Sequence, residues 1–353
     1  MVWCHKIPCV VILIEMAMQF ENIHKVAVFR ALHFGDLLCS IPAIRALRRH
    51  LPNATLSLVG LPWASQLVHR FPTYFDRLEV FPGYPGLPEQ PYSPAELITF
   101  LAQMQSEKFD LVLQMQGNGT LVNPLVELFG AAHTAGFYTE GSYHPRNGLY
   151  IPYPSHVHEI CRHLLLLQHL GVPHDGVDLE FPINEHDYAD ARALGLPIEV
   201  GQYVCIHPGS RSALRQWPPS AFANMADRCA ALGYDVVITG TSEELHIAEQ
   251  VAGAMHHTPI IAAGKTTLGT LAVLIKQAKA VLSNCTGTSH LAAALGTPGV
   301  IISMDGEPNR WRPLTKSLVT IDWIRSPDLG LVEKALIDRL AQPLSIEQYS
   351  DCP

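Results

Sequence analysis

The 353-residue sequence lacks paired cysteines. Its eight cysteines are scattered, and no two of them form a C-x-x-C pair. Neither a zinc site nor a disulfide framework is therefore indicated, and a reducing, cytoplasmic compartment fits best. The eighteen histidines show no spacing with carboxylates that is typical of metal ligands. Exposed or core histidines explain them more simply, so no metal site is predicted.

Several motifs of nucleotide-binding proteins are also missing. No G-x-G-x-x-G follows the first expected strand, which disfavours a dinucleotide-dependent oxidoreductase. Gly264-Lys265-Thr266 ends like a P-loop, but Pro259 stands where the first glycine of that motif is required. No D-x-D pair is present that would hold a metal on a nucleotide sugar. The formal net charge of −8 argues against a nucleic-acid partner.

The apolar run near the start of the chain is short. Residues 9–14 are apolar, but Glu15 interrupts the run, and a segment of this length cannot span a bilayer. It is either a weak signal-like segment without a small-residue cleavage site or an extension. We expect residues 1–22 to be a dispensable extension, with Met16 or Met18 as the native start.

From Lys25 onward the sequence shows a repeated strand–turn–helix pattern. Expected strands include 26–29, 55–60, 111–115, 203–206, 235–239, 281–282 and 299–303. Expected helices include 37–50, 94–107, 220–232, 242–255 and 267–278, whereas 130–170 reads as loop and helix. Repeated βα units predict parallel sheets covered on both faces, with ligands at the carboxyl ends of the strands.

The length and composition fit two domains of ordinary size. Hydrophobic residues make up 48% of the chain and charged residues 16%, as in a rather apolar globular protein. We predict an α/β fold with two Rossmann-like domains whose parallel sheets face each other across a cleft. The expected bounds are 23–176 for the N-terminal domain, 177–325 for the C-terminal domain, and 326–353 for a final helix and tail.

One βα turn of the C-terminal half has the features of a phosphate site. Thr286 and Ser289 offer hydroxyls at the start of an Ala-rich helix, and Gly287 lets a ligand approach the backbone closely. The unpaired N–H groups and the dipole of such a helix favour an anion. An ordinary capped βα turn explains the same residues equally well.

Polar residues in the N-terminal half follow two other expected strands. Asp36 lies at the tip of the first βα loop, where it is either a general base or an N-cap of the next helix. Gln116 and Asn118 follow the 111–115 strand, where they either line the same rim or belong to a flexible turn.

Two more strand ends of the C-terminal half carry charged residues. The loop 207–218 contains Arg211 and Arg215, which suit phosphate oxygens, although a solvated loop with Trp217 in the core is the alternative. Glu243 and Glu244 follow the strand 235–239. They either accept hydrogen bonds from ribose hydroxyls or complement the dipole of their own helix.

Together these stretches resemble glycosyltransferase family 9, the ADP-heptose:lipopolysaccharide heptosyltransferases. The similarity runs in order from Lys25 to about Asp322 and covers five spaced motifs. They are Phe34-Gly35-Asp36-Leu37-Leu38 with Arg45-Ala46-Leu47-Arg48, the stretch from Asp110 to Gly117, His207-Pro208-Gly209-Ser210 with Arg215-Gln216-Trp217-Pro218, the stretch from Asn284 to Pro298, and Pro308-x-Arg310-Trp311-Arg312-Pro313.

The resemblance implies a GT-B fold and an inverting, metal-independent transfer without a cofactor. It implies that Asp36 is the general base and that the C-terminal domain holds a nucleotide-sugar donor, ADP-heptose by analogy. The implied donor-binding residues are Ser210, Arg215, Glu243, Glu244, Thr286, Gly287, Thr288, Ser289 and His290. We expect the acceptor, a lipopolysaccharide core or related surface glycan, to lie near His33, Gln116 and Asn118.

Cys285 departs from the family pattern, in which an Asp usually precedes the Thr-Gly pair. A thiol cannot accept charge-assisted hydrogen bonds as a carboxylate does. Either the donor differs from ADP-heptose or activity is reduced or lost, as in a non-catalytic sugar-binding relative. Because Asp36 and Arg215 are both retained, a working transferase is expected. Peripheral contact with the inner face of the membrane through Arg45, Arg48 and Arg49 competes with the simpler interpretation that they are solvated.

Overall fold

Six parallel strands form the first of two sheets. The computed structural model describes residues 20–342. The strand order of the first sheet is β3-β2-β1-β4-β5-β6, and every neighbouring pair is parallel. The strands are β1 (Lys25–Phe29), β2 (Thr55–Gly60), β3 (Arg77–Val80), β4 (Leu111–Gln114), β5 (His133–Tyr138) and β6 (Leu149–Pro152).

The second sheet repeats this topology. Its order is β12-β11-β10-β7-β8-β9, again parallel throughout. Numbered from its own first strand, this is the same 3-2-1-4-5-6 order, which is that of a Rossmann fold. The strands are β7 (Tyr203–His207), β8 (Asp235–Ile238), β9 (Ile260–Ile261), β10 (Ala280–Asn284), β11 (Gly299–Ser303) and β12 (Leu318–Asp322).

Helices connect the strands of each sheet. In the N-terminal domain, built on the first sheet, they are α1 (Phe34–Leu38), α2 (Ile41–His50), α3 (Ser65–Arg70), α4 (Pro94–Glu107), α5 (Val122–Glu127) and α6 (Glu159–His169). In the C-terminal part, built on the second sheet, they are α7 (Glu185–Ala193), α8 (Pro219–Ala231), α9 (Leu245–Ala254), α10 (Leu268–Gln277), α11 (Gly287–Leu295), α12 (Pro308–Trp311) and α13 (Leu329–Leu340). The predicted fold of two Rossmann-like domains is confirmed.

The topology locates the ligand site. In a doubly wound sheet, ligands bind at the carboxyl ends of the strands where the strand order reverses. In the first sheet this point lies between β1 and β4, and in the second between β7 and β10. The loops after these four strands contain Asp36, Gln116, Arg215 and Thr286, so the fold directs four of the predicted site residues to the two switch points.

Two sequence-based expectations were wrong. The helix expected over 37–50 is two helices, because Pro42 has no N–H to continue α1 and lies instead in the first turn of α2. The region 130–170 contains β5 and β6 in addition to α6. Strand β5 escaped notice because Gly136 weakens its β pattern; no side chain fits there, since a Cβ would lie 2.7 Å from Gln114 Cβ.

Several predictions are left untested. The boundary between residues 176 and 177 stays a prediction. The extension over 1–22, with its alternative starts at Met16 and Met18, lies outside the described residues except for a 3₁₀ turn, Phe20–Asn22. Within residues 20–342, no helix combines the length and apolarity needed to cross a membrane.

The three arginines of α2 are engaged in ion pairs. Arg45 Nη1 lies 2.6 Å from Glu180 Oε1, and Arg48 Nη2 lies 2.6 Å from Asp76 Oδ2. Arg49 contacts Asp175. These three charges were the candidates for contact with a membrane surface. Because each is already paired with a neighbouring carboxylate, the alternative of an ordinary helix face is favoured.

Candidate active site

Asp36 lies in the first turn of α1, just beyond the carboxyl end of β1. The N-cap position of this helix is held by His33, and the carboxylate of Asp36, three residues on, accepts a hydrogen bond from the backbone of His33, so Asp36 contributes to the cap without being the N-cap residue. The side chain is half-buried at the cleft. Burial raises the pKa of Asp36, and the positive charge of Arg30 partly opposes this effect. A carboxylate whose pKa is moved towards neutrality is well suited to accept a proton.

A buried arginine, not anticipated from the sequence, holds the loop that carries Asp36. Arg30 follows β1 directly and is fully buried. Its Nε donates a hydrogen bond of 2.8 Å to the carbonyl oxygen of Asp36, and another guanidinium nitrogen donates to the carbonyl of Met115. The sequence does contain one indication of this role. Arg30 directly follows an apolar strand, and an arginine buried there needs hydrogen-bond acceptors inside the protein.

The predicted acceptor residues have different environments. Gln116 is buried, and its Oε1 accepts a hydrogen bond of 2.7 Å from Ala31 N, so it joins the loops after β1 and β4. Asn118 is exposed, and its Oδ1 accepts from Thr120 N at 3.2 Å. His33 is half-buried, and burial together with the charge of Arg211 lowers its pKa to about 4. Only His33 and Asn118 present exposed surface to an acceptor.

The turn from Thr286 to His290, called the donor turn below, has the geometry of an anion site. Thr286 is the N-cap of α11 but forms no side-chain cap, and its hydroxyl donates to Asn284 O at 3.4 Å instead. The first amide groups of the helix therefore remain without a capping side chain. Ser289 donates to Thr286 O at 2.7 Å and is fully buried. Thr288 is buried as well, which leaves Thr286 and Gly287 as the partly exposed members of the turn.

His290 faces the N-terminal domain rather than solvent. Its Nδ1 lies 3.6 Å from Cys39 Sγ, and the side chain is 3% exposed. Burial lowers its pKa to about 4, so the imidazole is neutral at pH 7. We infer that His290 joins the two domains at the turn and that the backbone of Thr286 and Gly287 is the surface available to a donor.

The two switch points meet at a pair of glycines. A Cβ on Gly35 would lie 2.9 Å from Gly287 Cα, and a Cβ on Gly287 would lie 3.2 Å from Gly35 N. Any side chain at either position would push the domains apart. Asp36 immediately follows Gly35, so its backbone lies beside the turn formed by Thr286 and Gly287.

The loop after β7 is joined to the same turn. Asn284 Nδ2 donates to Pro208 O at 2.7 Å, and its Oδ1 accepts from Trp217 N at 2.9 Å. Trp217 is fully buried, as the alternative interpretation of this loop expected. Ser210 is also buried, and its carbonyl accepts a hydrogen bond of 2.7 Å from Gln216 Nε2.

The two arginines of this loop are both exposed and have different surroundings. Arg215 Nε lies 3.4 Å from Asp305 Oδ2, at the carboxyl end of β11. Arg211 was considered a solvated residue, yet its positive charge acts on Asp36, Glu89 and Glu244 across the cleft. Both are available to negative groups of a ligand.

The two glutamates after β8 differ in their exposure to solvent. Glu243 is fully exposed. Glu244 is half-buried, accepts a hydrogen bond of 2.9 Å from Thr241 N, and lies against Gly209, where a Cβ would be 2.2 Å from Glu244 Cδ. Glu244 is therefore the carboxylate that lies within the site.

No group of three or more His, Cys, Asp or Glu side chains in the described part of the chain is arranged to hold a metal ion.

The fold and the site together define a two-domain α/β protein of GT-B architecture, with a half-buried carboxylate, Asp36, close to the start of α11. A family model described as glycosyltransferase family 9 (heptosyltransferase) matches residues 98–334. The chain belongs to this family, as the motifs predicted, and the predicted enzyme class, a glycosyltransferase of the heptosyltransferase type, is confirmed.

Individual relatives are distant in sequence. Lipopolysaccharide heptosyltransferase 3 of Escherichia coli is 24% identical over 308 residues, which cover 81% of this chain and 85% of the relative. A family 9 glycosyltransferase structure from Veillonella parvula has a TM-score of 0.74 at 22% identity, covering 91% of each chain. The E. coli heptosyltransferase WaaC, solved with ADP-2-deoxy-2-fluoro heptose, has a TM-score of 0.62 at 20% identity, covering 84% of this chain and 92% of that one. These structural likenesses support the fold.

Proposed function

We propose that the protein is an inverting heptosyltransferase that transfers heptose from ADP-heptose to a lipopolysaccharide-core acceptor. The observation that carries this proposal is the contact between Gly35 and Gly287, which brings the Asp36 loop and the donor turn together. The relatives named for lipopolysaccharide heptosyl transfer, and the similar WaaC structure with an ADP-heptose analogue, support the choice of donor and acceptor.

In the proposed reaction, Asp36 accepts the proton of an acceptor hydroxyl as its oxygen attacks the anomeric carbon. A new carbon–oxygen bond forms on one face of the sugar while the bond to the diphosphate breaks on the other, which inverts the anomeric centre. The departing ADP carries the electron pair away. The amides of Thr286 and Gly287 and the guanidinium of Arg215 stabilise its negative charge, so no metal ion is required.

We further propose that Asp305 supplies the carboxylate that Cys285 does not. Cys285 is 8% exposed, and its Sγ donates a weak hydrogen bond to Trp311 O at 3.5 Å. Burial raises the pKa of this thiol to about 12, so it is uncharged. Asp305 follows the neighbouring strand β11, and its Oδ2 lies 3.4 Å from Arg215 Nε. Its Oδ1 already accepts from Ser303 Oγ at 2.9 Å and from Glu307 N at 3.1 Å, so a donor hydroxyl would have to bind at Oδ2.

The acceptor end of the proposed site lies along the carboxyl edge of β1, β4 and β5. His33 and Asn118 are the predicted acceptor residues that offer surface there. A cavity of about 650 Å³ opens after β5 and is lined by residues that include Glu127, Tyr143, His144 and Arg146. We propose that the sugar or phosphate groups of the acceptor occupy this edge, and that the enzyme works in the cytoplasm, where nucleotide sugars are made.

A thermal-shift titration against ADP, UDP, GDP and CDP tests the donor first. A ligand that binds the folded state raises its apparent stability with the logarithm of concentration over Kd. A selective shift with ADP supports the proposal. A selective shift with another nucleotide would keep the transferase but change the proposed donor. No shift with any of the four would favour a non-catalytic relative.

Turnover of ADP-heptose by Asp36→Asn tests the mechanism. We expect a loss of at least about 10²-fold in kcat, because proton transfer by a positioned base contributes about 10² to 10⁴. The ADP-induced thermal shift should be unchanged. Turnover that persists in excess EDTA supports metal independence, and full activity of Asp36→Asn would exclude this residue as the base.

A further inference from the structure

The guanidinium of Arg30 contacts three separate parts of the N-terminal domain. It donates to the carbonyls of Asp36 and Met115, and its remaining Nη2 lies 3.2 Å from Glu159 Oε1. The planar fork of an arginine can make such divergent bonds at once, whereas a lysine has a single ammonium group. Arg30 therefore fixes the backbone that carries Asp36 relative to the end of β4 and the start of α6.

Glu159 is the centre of a buried cationic cluster. Its Oε1 is also 3.4 Å from His163 Nε2, and its Oε2 contacts Arg162 and lies 3.5 Å from Arg310 Nε. Glu159 is 4% exposed, and Arg162 and His163 are buried with it. Burial alone would raise the pKa of Glu159, but His163 and the surrounding arginines hold it well below its usual range.

The cluster contains more positive than negative charge. Burial lowers the pKa of His163 to about 4, so this residue is neutral at pH 7. Arg30, Arg162 and Arg310 then share the single carboxylate of Glu159, with Glu307 a second, exposed partner of Arg310 at 3.5 Å. Of this cluster, Arg30 and Glu159 act on Asp36, and their charges act in opposite directions on its pKa.

Arg310 connects this cluster to the C-terminal domain. It belongs to α12, which follows β11. The next residue but one, Arg312, is tied to the N-terminal domain as well. His158 Nδ1 accepts from Ile160 N, so its Nε2 carries the proton and donates to Arg312 O at 2.8 Å. Two adjacent contacts therefore join α12 to the start of α6.

We infer that Arg30 is a positioning residue for Asp36, and that Glu159 links it to Arg310, so that the base is held in register with the donor domain. This inference rests on the proposed role of Asp36. Arg30 and Glu159 touch neither donor nor acceptor in this role. They act through the backbone of Asp36 and through the charge that surrounds its carboxylate.

Charges from several elements surround Asp36 and have to be considered together. Besides Arg30 and Glu159, they are those of Arg211 in the loop after β7 and Glu89 in the loop before α4, with the buried thiol of Cys39 behind the base. A test must therefore change one member of the cluster and leave the cleft-facing residues intact.

The decisive experiment is a carboxyl-carbon NMR titration of Asp36 in protein labelled with ¹³Cγ-aspartate, assigned with Asp36→Asn. We expect Glu159→Gln to lower the pKa of Asp36 by about one pH unit, because a negative charge is removed while the arginines remain. Glu333→Gln is the matched control, since it removes a carboxylate from the Arg228–Glu333 pair on α13, outside the site.

Arg30→Lys separates charge from geometry. This variant retains the positive charge but loses the planar guanidinium that makes three bonds at once. We therefore expect the pKa of Asp36 to change little. We expect kcat to fall at least about tenfold, with the KM for the donor unchanged. If Arg30→Lys does not fold, Glu159→Gln still decides the question. A wild-type pKa for Asp36 in Glu159→Gln, with wild-type kcat, would overturn the inference. If the unmodified protein turns over no nucleotide sugar, the proposed function fails, and the titration still reports on the cluster.

Discussion

The contact between Gly35 and Gly287 makes a quantitative prediction about turnover. A Cβ added by Gly35→Ala would lie 2.9 Å from Gly287 Cα and 3.4 Å from His290 Cδ2. Carbon atoms in favourable contact are about 3.5 to 4.0 Å apart, so the donor turn has to retreat by about 0.6 Å or more. A side-chain rotation cannot relieve this clash, because the two nearest atoms belong to the backbone of Gly287 in another helix.

The expected cost follows from the sensitivity of transfer to geometry. A misplacement of about 1 Å can cost about 10²-fold in rate, so a retreat of about 0.6 Å should lower kcat/KM roughly tenfold. Affinity for ADP should hardly change, because the proposed donor contacts all lie in the C-terminal domain. Stability should fall by no more than about 2 kcal/mol, since the overpacking cost of about 1 to 3 kcal/mol is partly offset by the preference of about 1 kcal/mol for alanine over glycine within a helix.

Steady-state kinetics with ADP-heptose, together with a thermal-shift titration of ADP, measure both quantities. Gly253→Ala is the matched control, because it lies within α9 and an added Cβ there meets nothing within 4 Å. Unchanged kcat/KM in Gly35→Ala would show that the close approach of the two loops is not needed for transfer. A fall in ADP affinity as large as the fall in kcat/KM would place the defect in the donor site instead.

Two further predictions concern charge. Asp305→Asn should weaken donor binding about tenfold in calorimetry whereas Cys285→Ser should not, because only Asp305 supplies a carboxylate; equal effects would refute that assignment. The pKa of His290 and that of His163 are each about 4 when folded, below the ordinary value of 6.5. The unfolded chain thus binds more protons below pH 6.5, and stability falls as the pH drops towards 4. The loss is roughly 2 kcal/mol per histidine at pH 5. In urea unfolding, the free energy of unfolding of His290→Gln should fall by roughly 2 kcal/mol less between pH 7 and pH 5 than that of the unmodified protein, and an unaltered pH dependence would contradict the burial argument.

The parts of the site that follow strands could be predicted from the sequence. Asp36, Arg215 and the turn at Thr286 each come directly after a buried apolar run, and the carboxyl ends of parallel strands lie on one edge of a sheet. Local pattern and topology were therefore enough to bring them together. The same argument placed Gln116 on that edge, but the structure uses its side chain to hold Ala31 N.

The parts that depend on distant partners could not be predicted. Glu159 is 129 residues from Arg30 in sequence, and nothing in its helical context indicates a buried carboxylate. The short strand β6 could not be predicted for a similar reason, because its pairing with β5 is a tertiary property. The assignment of Glu244 rather than Glu243 to the site also required the position of Gly209 in space.

The cluster around Glu159 has no clear value for stability alone. Removing charges from water costs several kcal/mol per ion, and replacing a buried ion pair by apolar residues of similar volume is often neutral or stabilising. A cluster with Arg30, Arg162 and Arg310 on one carboxylate is even less favourable, because its positive charges repel one another. What an apolar replacement could not supply is the set of three directed bonds from Arg30, one of which holds the backbone of Asp36. The cluster is therefore best explained by how it holds Asp36, the proposed base.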